Sequence, residues 1–403
     1  MDKIQSLRGM NDISEAQAEK FLYFLQKCSK IAQKYGHKYI STPILEQTVL
    51  FERSVGNSSD IATKEMYRFT DKGHNDVSLR PEGTASIVRH FIEKKIDKAG
   101  GVFRFFYYGP MFRYERPQKG RLRQFHQFGC ETFGEDSYME DLNIIDMVVN
   151  IFKFFEIPTT LHINSLGCDD CMPSYKKNLL NNISGIKLCD ICEKRKITNP
   201  IRVFDCKNEK CQEKLQNIDK ITDSLCKICQ NEFDSLMGSL DSLCIKYIVN
   251  KNLVRGLDYY TKTAFEFISG DIGSQNAIAG GGRYNHLVEQ LGGEKVSAVG
   301  FAIGIERLLE LINKPKQDQD IWYIGATNDE ALEQLSKIVS KKRSDYIVLT
   351  DYKIRSFTKH FNNAIKKSAT NIAILNKQEL TNGQIWTKDL TNDIEKIVSL
   401  SNF

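Results

Sequence analysis

A predicted pair of strands joined by a cationic loop carries the residues of this chain best suited to chemistry. The first strand is aromatic and ends at Arg113, and the second covers residues 125–133. The basic residues of the connection, opposed by the single acid Glu115, are Arg113, Arg116, Lys119, Arg121 and Arg123. Cations on strands beside a cationic loop are suited to binding a polyanion, and a solvated surface hairpin is the alternative.

One face of the second strand offers a second candidate site. Side chains alternate along a strand, so Gln127, Gly129 and Glu131 share a face, and the two polar groups lie about 13 Å apart. The glycine between them predicts a bare floor that could accept a small zwitterion with a polar side chain. Because buried Gln and Glu side chains need partners, a satisfied core network is the alternative.

These residues resemble the second signature motif of class II aminoacyl-tRNA synthetases, and within that class the motif of the histidyl-tRNA synthetases. Six further segments resemble parts of the same family in the family's order. They are residues 8–12 (opening segment), 39–44 (first motif), 79–84 (amino-acid-binding turn), 255–260 and 280–284 (histidine-specific segments) and 300–307 (third motif). Each match alone is weak, but their number and order exclude chance.

The resemblance implies an α+β fold, in which a class II antiparallel sheet is flanked by helices. It also implies a two-step reaction: L-histidine and ATP, with Mg²⁺, give histidyl-adenylate and pyrophosphate, and the histidyl group then passes to the 3′ end of histidine tRNA with release of AMP. Pro43 interrupts an extended apolar strand, which favours an edge or an interface. The first motif therefore implies a homodimer, with a packed loop as the alternative.

Three arginines are assigned to the reacting phosphates by the same resemblance. Arg113 would grip the α-phosphate, Arg255 would bridge the carboxylate and the α-phosphate, and Arg307 would hold the γ-phosphate. Arg113 and Arg255 are the catalytic candidates, because two anions that must react need a fixed cation between them. As alternatives, Arg113 could pair with Glu115, and Arg307 could be a helix-surface charge. Arg255 has apolar neighbours and no acid in the sequence nearer than Asp258, so we expect it to be unpaired until an anion binds.

The histidine pocket is likewise assigned by resemblance. Its predicted members are Glu82, Thr84 and Gln127 at the α-amino group and Glu131 and Tyr260 at the imidazole ring. Gly83 is also predicted to bind histidine, and Tyr259, beside Tyr260, is favoured as a second wall of the pocket. Core packing is the alternative for Tyr259. The glycines at 281 and 282, next to Arg283, are expected to let the backbone approach adenine or histidine, and Gly300 and Gly304 likewise indicate close approach by a ligand.

Contacts with tRNA are expected at two places. In the cationic loop, the resemblance assigns Arg116, Gln118 and Lys119 to the acceptor end, and Arg121 to either ATP phosphate or tRNA. Near the C-terminus, residues 352–378 contain six basic residues and no acid. Such runs are usually solvated faces, but on a domain attached to a synthetase core anticodon binding is favoured.

Eight of the eleven cysteines form pairs in the sequence. The first two pairs, Cys168/Cys171 and Cys189/Cys192, have the spacing of a four-thiolate zinc site, and the later pairs, Cys206/Cys211 and Cys226/Cys229, fit more loosely. One or two structural zinc ions are the hypothesis, with reduced, unliganded thiols as the alternative.

A length of 403 residues predicts more than one domain. We predict a catalytic core over 1–165 and 245–313, a Cys-rich helical insertion over 166–244, a linker over 314–320, and an α/β anticodon-binding domain over 321–403. No apolar run is long enough to cross a bilayer, so the protein is expected to be cytoplasmic with no membrane partner. The net charge of +5 is modest, so nucleic acid must meet local basic patches.

Two other classes of function use the same fold. One is a catalytically silent paralogue that senses histidine as the regulatory subunit of a phosphoribosyltransferase, and the other is an RNA-binding adaptor without adenylation. The first class could lose the cationic loop, Arg255 or the C-terminal domain, and this chain keeps all three. The second would not need both Arg113 and Arg307.

Overall fold

The computed structural model describes residues 3–56, 59, 61–118, 120–270, 277–313 and 320–403. The chain divides into two compact units, Met1–Lys314 and Pro315–Phe403. Lys119 and residues 314–319 of the predicted linker lie outside the described residues. None of the described helices combines the length and the apolar character needed to cross a bilayer.

The first unit contains both the sheet and the insertion. Its helices and strands are, in chain order, α1 (Glu15–Lys34), β1 (Lys38–Tyr39), β2 (Leu45–Gln47), α2 (Thr48–Val55), β3 (Tyr67–Thr70), β4 (Asp76–Leu79), α3 (Thr84–Glu93), β5 (Phe103–Phe112), β6 (Gln124–Phe133), α4 (Tyr138–Phe154), β7 (Thr160–Ser165), α5 (Cys171–Ile183), α6 (Asp190–Thr198), α7 (Glu209–Leu215), α8 (Lys227–Ser242), β8 (Tyr247–Val249), β9 (Thr261–Ile268), β10 (Ala277–Arg283), α9 (Leu287–Gln290), β11 (Ala298–Gly304) and α10 (Ile305–Leu309).

The main sheet has, within the described residues, the strand order β1-β5-β6-β11-β10-β9-β7-β8. Its inner strands pair antiparallel, and the edge strands β1 and β8 pair parallel with their neighbours. The predicted antiparallel core with flanking helices is therefore confirmed. Pro43, predicted within a strand, instead lies in the connection between β1 and β2.

The long helices α1 and α4 cover one face of this sheet. Their buried side chains, including Phe24, Cys28 and Ile145, pack against sheet residues such as Phe128 in one core. Ser14 is the N-cap of α1, but its side chain makes no capping bond. Instead, the Ser14 carbonyl accepts from the amide of Gln17 at 3.1 Å. Residues 14 and 17 thus begin the helix through the backbone, although their spacing is that of a capping box.

The insertion consists of helices α5 to α8 and two 3₁₀ helices, Pro200–Asp205 and Ile221–Asp223, and its buried side chains form a second hydrophobic core that also includes Val254 and Ala264. Tyr175, Leu179 and Val203 are buried in this core together with several cysteines. The root of the insertion is attached to the sheet, because the amide of Leu166 donates to the carbonyl of Lys262 and the amide of Lys262 donates to the carbonyl of Gly167, at 2.6 and 2.8 Å.

The second unit is a small α/β fold. Its elements are β12 (Ile321–Ala326), α11 (Asp329–Lys342), β13 (Ile347–Leu349), α12 (Phe357–Lys366), β14 (Asn371–Leu375), α13 (Lys377–Thr381), β15 (Gln384–Asp389) and β16 (Ile394–Ser399). The strand order is β13-β12-β14-β15-β16, with the first three strands parallel. The antiparallel pair β15 and β16 gave no clear sequence signal, because β16 is exposed over most of its length.

Candidate functional site

A cavity of about 670 Å³ lies over β6, β10 and β11, beside the connection of β5 to β6. The predicted site residues that line it are Glu82, Thr84, Arg113, Gln118, Arg121, Gln127, Arg255, Tyr259, Tyr260 and Arg307. Gly83, Arg116 and Glu131 are described but do not line it, and Lys119 is not described. One cavity therefore collects most of the predicted residues, whereas their contacts with ligands stay predictions.

The strand face predicted to carry a bare floor is covered. Tyr107 lies directly opposite Gly129 in the pairing of β5 with β6. A Cβ added to Gly129 would lie 2.5 Å from the Tyr107 hydroxyl oxygen, so the glycine provides space for this ring. The expectation of a bare floor at Gly129 is wrong, because the cross-strand neighbour occupies it. Gly83 has the same function, since a Cβ there would collide with the Tyr107 ring.

The phosphate end of the cavity begins at the connection of β5 to β6. The guanidinium of Arg113 donates to the carbonyl of Pro81 at 2.9 Å and stacks over Phe125, 5.2 Å from the ring centre. Glu115 is bound by Arg121 instead, with Nε 2.5 Å from Oε2. The alternative that Arg113 pairs with Glu115 is therefore wrong, because Glu115 pairs with Arg121.

Arg307 completes this end of the cavity. It is partly buried on α10 and donates from Nε to the carbonyl of Gly120 at 2.7 Å and from Nη1 to that of Ala277 at 2.8 Å. Burial lowers the pKa of Arg307 below its ordinary value, and the nearby charges of Arg121 and Arg113 lower it further. The guanidinium groups of Arg113, Arg121 and Arg307 therefore converge at this end of the cavity. Arg113 and Arg307 donate to main-chain carbonyls, and Arg121 pairs with Glu115.

Arg255 was predicted to be unpaired, and this prediction is wrong. Its Nη1 forms an ion pair with Oε1 of Glu266 on β9, a partner that is distant in sequence. Its Nε is buried and has no acceptor among the described residues, and the guanidinium lies over the ring of Tyr260, 5.4 Å from the centre. A Cβ on Gly280 would collide with the guanidinium, so this glycine makes room for Arg255.

The histidine end of the cavity begins at the first turn of α3. The carboxylate of Glu82 is buried and accepts from the amides of Thr84 and Ala85 at 2.7 and 2.9 Å. Opposite it on β6, the Oε1 atom of Gln127 is buried and receives no hydrogen bond from any described residue. A buried acceptor without a donor is costly and rare, so this atom is available to a cationic ligand.

Glu131 lies behind this end, in a satisfied core network. It accepts hydrogen bonds from the hydroxyls of Thr84 at 2.8 Å, Tyr107 at 3.2 Å and Tyr284 at 2.5 Å. Burial, with the nearby Glu82 adding to it, raises the pKa of Glu131 to about 8. Of the two alternatives for this strand face, a ligand floor and a satisfied core network, the structure shows the core network at Glu131. Tyr284 was not predicted as a member, although it lies in a segment that resembles the family.

The aromatic wall of the cavity is formed by the adjacent tyrosines. The rings of Tyr259 and Tyr260 are 4.6 Å apart, and the ring of Tyr259 also lies 5.6 Å from that of Tyr284. Tyr259 is 3% exposed and still lines the cavity. The two alternatives for this residue, wall and core, thus both describe its position.

The glycine-rich strands near the cavity have packing partners inside the protein. A Cβ on Gly281 would meet the Phe265 ring, one on Gly282 would meet the Tyr260 ring, and one on Gly300 would collide with the Glu131 carboxylate. The expected approach of a ligand to these glycines is therefore not required to explain them. A Cβ on Gly304, in contrast, would meet, among the residues that the structure describes, only the side chain of Arg307, 4.0 Å away.

Arg283 is a structural arginine. It is fully buried on β10, and its guanidinium binds the carboxylate of Asp141 at 3.0 to 3.2 Å. It also donates to the carbonyls of Glu135 and Ser137 at 2.8 and 2.9 Å. These bonds use its donors away from the cavity and tie β10 to the start of α4.

The paired cysteines form two clusters whose order is nested in the sequence. An outer cluster consists of Cys168, Cys171, Cys226 and Cys229, and an inner cluster consists of Cys189, Cys192, Cys206 and Cys211. The first two pairs, which have zinc-site spacing, therefore do not share a site. The chain folds back on itself within the insertion, so the first pair meets the last.

The sulfur geometry of both clusters suits a tetrahedral metal. Sγ of Cys168 lies 3.7 Å from that of Cys171 and 3.9 Å from that of Cys226, and Cys189 and Cys206 are 3.7 Å apart. A zinc tetrahedron with Zn–S bonds of about 2.3 Å has S···S edges of about 3.8 Å, whereas a disulfide needs about 2.05 Å. The clusters could thus hold a metal ion.

Several residues that line the cavity were not predicted from the sequence, and three of them lie beside Arg255 or on the insertion. Asp205 and Lys207 of the insertion line it, and Glu266 lines it beside Arg255. Only the alternation of apolar and polar residues along β9 could have indicated that Glu266 faces away from the core. Nothing in the sequence placed the insertion at the cavity.

Comparisons with known proteins agree on one family. A family model described as histidyl-tRNA synthetase matches residues 9–167 and 201–308. The histidine–tRNA ligase of Sulfurimonas denitrificans is 53% identical over 397 residues, which is 98% of each chain, and that of a Sulfurovum species is 51% identical over 400 residues, 99% of each chain. The crystal structure of apo histidyl-tRNA synthetase from S. aureus has a TM-score of 0.84 and 32% identity, covering 99% of this chain and 98% of that one. The chain therefore belongs to the histidyl-tRNA synthetase family.

Proposed function

We propose that the chain ligates L-histidine to the 3′ end of histidine tRNA through a histidyl-adenylate, with release of pyrophosphate and AMP. The observation that carries the proposal is the cavity in which Arg113, Arg255 and Arg307 share one lining with the buried acceptors Glu82 and Gln127. A zwitterionic amino acid and a triphosphate are the ligands that such an arrangement suits. The relatives that match nearly the whole chain carry the name histidine–tRNA ligase.

In the first step, a carboxylate oxygen of histidine attacks the α-phosphorus, a new O–P bond forms, and the bond to the pyrophosphate oxygen breaks. Arg113 would stabilise the α-phosphate and Arg307 the γ-phosphate, because both side chains line the same cavity. Arg121 would move from Glu115 to a phosphate or to tRNA. Fixed cations stabilise the charge of the transition state without reorganisation.

Arg255 would bridge the histidine carboxylate and the α-phosphate. Its ion pair with Glu266 fixes the guanidinium through Nη1, and its buried Nε remains without an acceptor among the described residues. Glu266 would therefore orient Arg255 rather than neutralise its function.

The α-amino group of histidine would bind at Gln127, Glu82 and Thr84. The Oε1 atom of Gln127 lacks a donor in the described structure, and an ammonium supplies one. Tyr260 and Tyr259 would contact the imidazole ring, and Glu131 would reach it through an exchange of the Thr84 hydroxyl bond. Gly83 would shape this end through Tyr107.

Mg²⁺ would enter with ATP at the phosphate end. The carboxylates of Glu115 and Glu306 both line the cavity there, and oxygen ligands are what this ion prefers. The amide of His126 donates to both oxygens of Glu306 at 2.9 Å, which fixes the orientation of this carboxylate. When bound, the ion neutralises charge on the leaving pyrophosphate.

The tRNA would be held at two places. The exposed side chains of Arg116 and Gln118 would contact its acceptor end, together with Lys119, and the second unit would bind the anticodon. In that unit Arg355 pairs with Asp351 and Lys377 with Glu330, whereas Lys353, Lys359 and Lys366 are exposed. These three lysines are the strongest candidates for phosphate contacts.

We propose a homodimer in the cytoplasm. β1 is an edge strand, and the apolar side chains of Tyr39, Ile44, Leu45 and Val49 beside it are exposed. None of the eleven cysteines forms a disulfide bond in the structure, which fits a reducing compartment. Light scattering should give twice the chain mass, and a monomer mass at micromolar concentration would contradict the dimer.

We further propose that each cysteine cluster holds a structural zinc ion. Thiolates at a spacing of 3.7 to 3.9 Å match the edges of a tetrahedral site, and all four ligand atoms of each cluster lie within 4.8 Å of one another. Amides donate to the sulfurs, from Cys226 to Cys171 at 3.1 Å and from Cys189 to Cys211 at 3.3 Å, as around bound thiolates. Protein purified without chelators should contain two zinc ions per chain; none would contradict the assignment.

Exchange of labelled pyrophosphate into ATP tests the ligase assignment. Histidine should support the exchange, and transfer of labelled histidine to tRNA should follow. If no amino acid supports exchange, the silent regulatory paralogue or the RNA adaptor is favoured. Exchange with a different amino acid would contradict the substrate.

A further inference from the structure

The inner cluster lies on the part of the insertion that contacts the segment carrying Arg255. Between Cys192 and Cys206 the chain completes α6 and forms the 3₁₀ helix Pro200–Asp205. Where these two helices meet, Asn199 is buried and donates from Nδ2 to Oδ1 of Asp258 at 2.8 Å. Asp258 directly precedes the tyrosines of the cavity wall, so the insertion holds the turn on which they and Arg255 lie.

The segment from Cys192 to Cys206 is held by bonds within it and by the inner cluster at both of its ends. Arg195 on α6 donates from Nη1 to the carbonyl of Arg202 at 2.9 Å, and its Nη2 lies 3.8 Å from Oδ2 of Asp205. Its two ends enter the inner cluster at Cys192 and Cys206. The neighbours of Cys206 in sequence, Asp205 and Lys207, line the same cavity as Arg255.

We infer that Asn199 is a positioning residue for residues 255–260, and that a metal ion in the inner cluster holds Asn199 in place. The second half of this inference rests on the zinc proposed above, and the first half does not. Asn199 would not touch the substrate. It acts through Asp258 on the place of Arg255, and a displacement of about 1 Å at a reacting group can lower a rate about 100-fold.

The outer cluster provides the internal comparison. It closes the root of the insertion beside Lys262 and has no member on the stretch between α6 and the 3₁₀ helix. Loss of the outer metal should therefore weaken the insertion as a whole, whereas loss of the inner metal should act on the cavity. The two sites have the same ligands and different consequences.

An exchange of the two partners tests the positioning residue. Asn199→Asp places two carboxylates together and should lower kcat for histidine-dependent pyrophosphate exchange about 30-fold, with KM for ATP within about threefold. Adding Asp258→Asn reverses donor and acceptor and should restore most of the activity. Asn182→Ala, at an exposed position of α5, is the control and should have no effect. A purely structural role would alter thermal stability without the loss and recovery of kcat, and wild-type exchange by Asn199→Asp would overturn the inference.

Removal of an inner ligand tests the metal. Cys189→Ser should leave about one zinc ion per chain and lower the rate of pyrophosphate exchange. Adding Asn199→Ala to this variant should lower the rate no further, because both substitutions act through the hydrogen bond from Asn199 to Asp258. If the double variant instead lost activity by the product of the two single losses, the link between the metal and Asn199 would be overturned. A wild-type protein without zinc would overturn the metal half alone, and the partner exchange, which needs no metal, would still decide the role of Asn199.

Discussion

The two ends of the cavity differ in how their charges are satisfied before any ligand binds. At the phosphate end Arg113 and Arg307 donate only to main-chain carbonyls in the bonds described for them, and Glu115 is taken by Arg121. At the histidine end Glu131 accepts three hydroxyl bonds and Glu82 accepts two amides. At the phosphate end Arg113 and Arg307 have no acidic partner in these bonds, whereas at the histidine end the acids already accept hydrogen bonds.

This difference suggests how the two substrates are recognised. A triphosphate supplies the missing negative charge, so binding at the phosphate end relieves repulsion among cations. Histidine enters a network that already has its geometry, and the buried Oε1 of Gln127 is the acceptor left for it. A site of buried polar groups rejects ligands that leave those groups unpaired. The contrast predicts that variants at the two ends affect different substrates.

Arg255→Ala should have the largest effect, because Arg255 lies where the two ends meet. We expect histidine-dependent exchange to fall about 10²- to 10³-fold, the range for loss of one group that stabilises transition-state charge. Glu266→Gln, which retains the arginine but weakens its anchor, should lower exchange only about tenfold. Arg53→Ala, an exposed helix position, is the control. Exchange by Arg255→Ala within twofold of wild type would refute its role.

Arg307→Ala should raise KM for ATP about 10- to 100-fold while KM for histidine changes little, since a charge-assisted hydrogen bond contributes about 1.5–3 kcal/mol. Its thermal midpoint should not fall greatly, because its removal relieves repulsion with Arg113 and Arg121. Arg283→Ala is the matched comparison. Without Arg283 the buried Asp141 carboxylate is unpaired, and stability should fall by about 3–5 kcal/mol. Equal destabilisation by the two variants would break the distinction between a binding and a structural arginine.

Gln127→Ala sharpens the histidine end. It should raise KM for histidine about 5- to 30-fold and leave KM for ATP near wild type, because the ammonium loses one buried acceptor. Steady-state exchange with each substrate varied in turn measures both constants. Stability should not decrease, because Oε1 has no donor in the described structure to lose. A rise in KM for ATP of the same size would show that the two ends are not separate.

Local patterns predicted much of this architecture. The hairpin of β5 and β6 and the shared strand face of Gln127 and Glu131 follow from the alternation of side chains in short windows. The short motifs also brought most of the cavity-lining residues to notice. Each of these features depends on residues that are close together in the sequence.

Pairings between distant residues could not be predicted in the same way. Glu266 pairs with Arg255 only because β9 brings it under the turn, and Tyr107 covers Gly129 only in the register of β5 with β6. The cysteine pairs show the same limit. Equal spacing within pairs says nothing about which pairs meet, and the nested order follows from the path of the insertion.

Glu131→Gln tests the histidine end by its response to pH. The folded-state pKa of Glu131, about 8, lies above its ordinary value of 4.5. The stability that the neutral carboxyl contributes is therefore complete below about pH 4.5 and is lost as the pH rises to about 8, where the folded protein must release the proton. A glutamine keeps the shape of the side chain and cannot ionise. The thermal midpoint of the variant minus that of wild type should therefore be about 5 °C greater at pH 9 than at pH 5. Glu289→Gln, at an exposed position, should follow wild type at every pH. Parallel curves for wild type and Glu131→Gln would mean that Glu131 is ionised in the empty site, and the two ends would then not differ as the structure indicates.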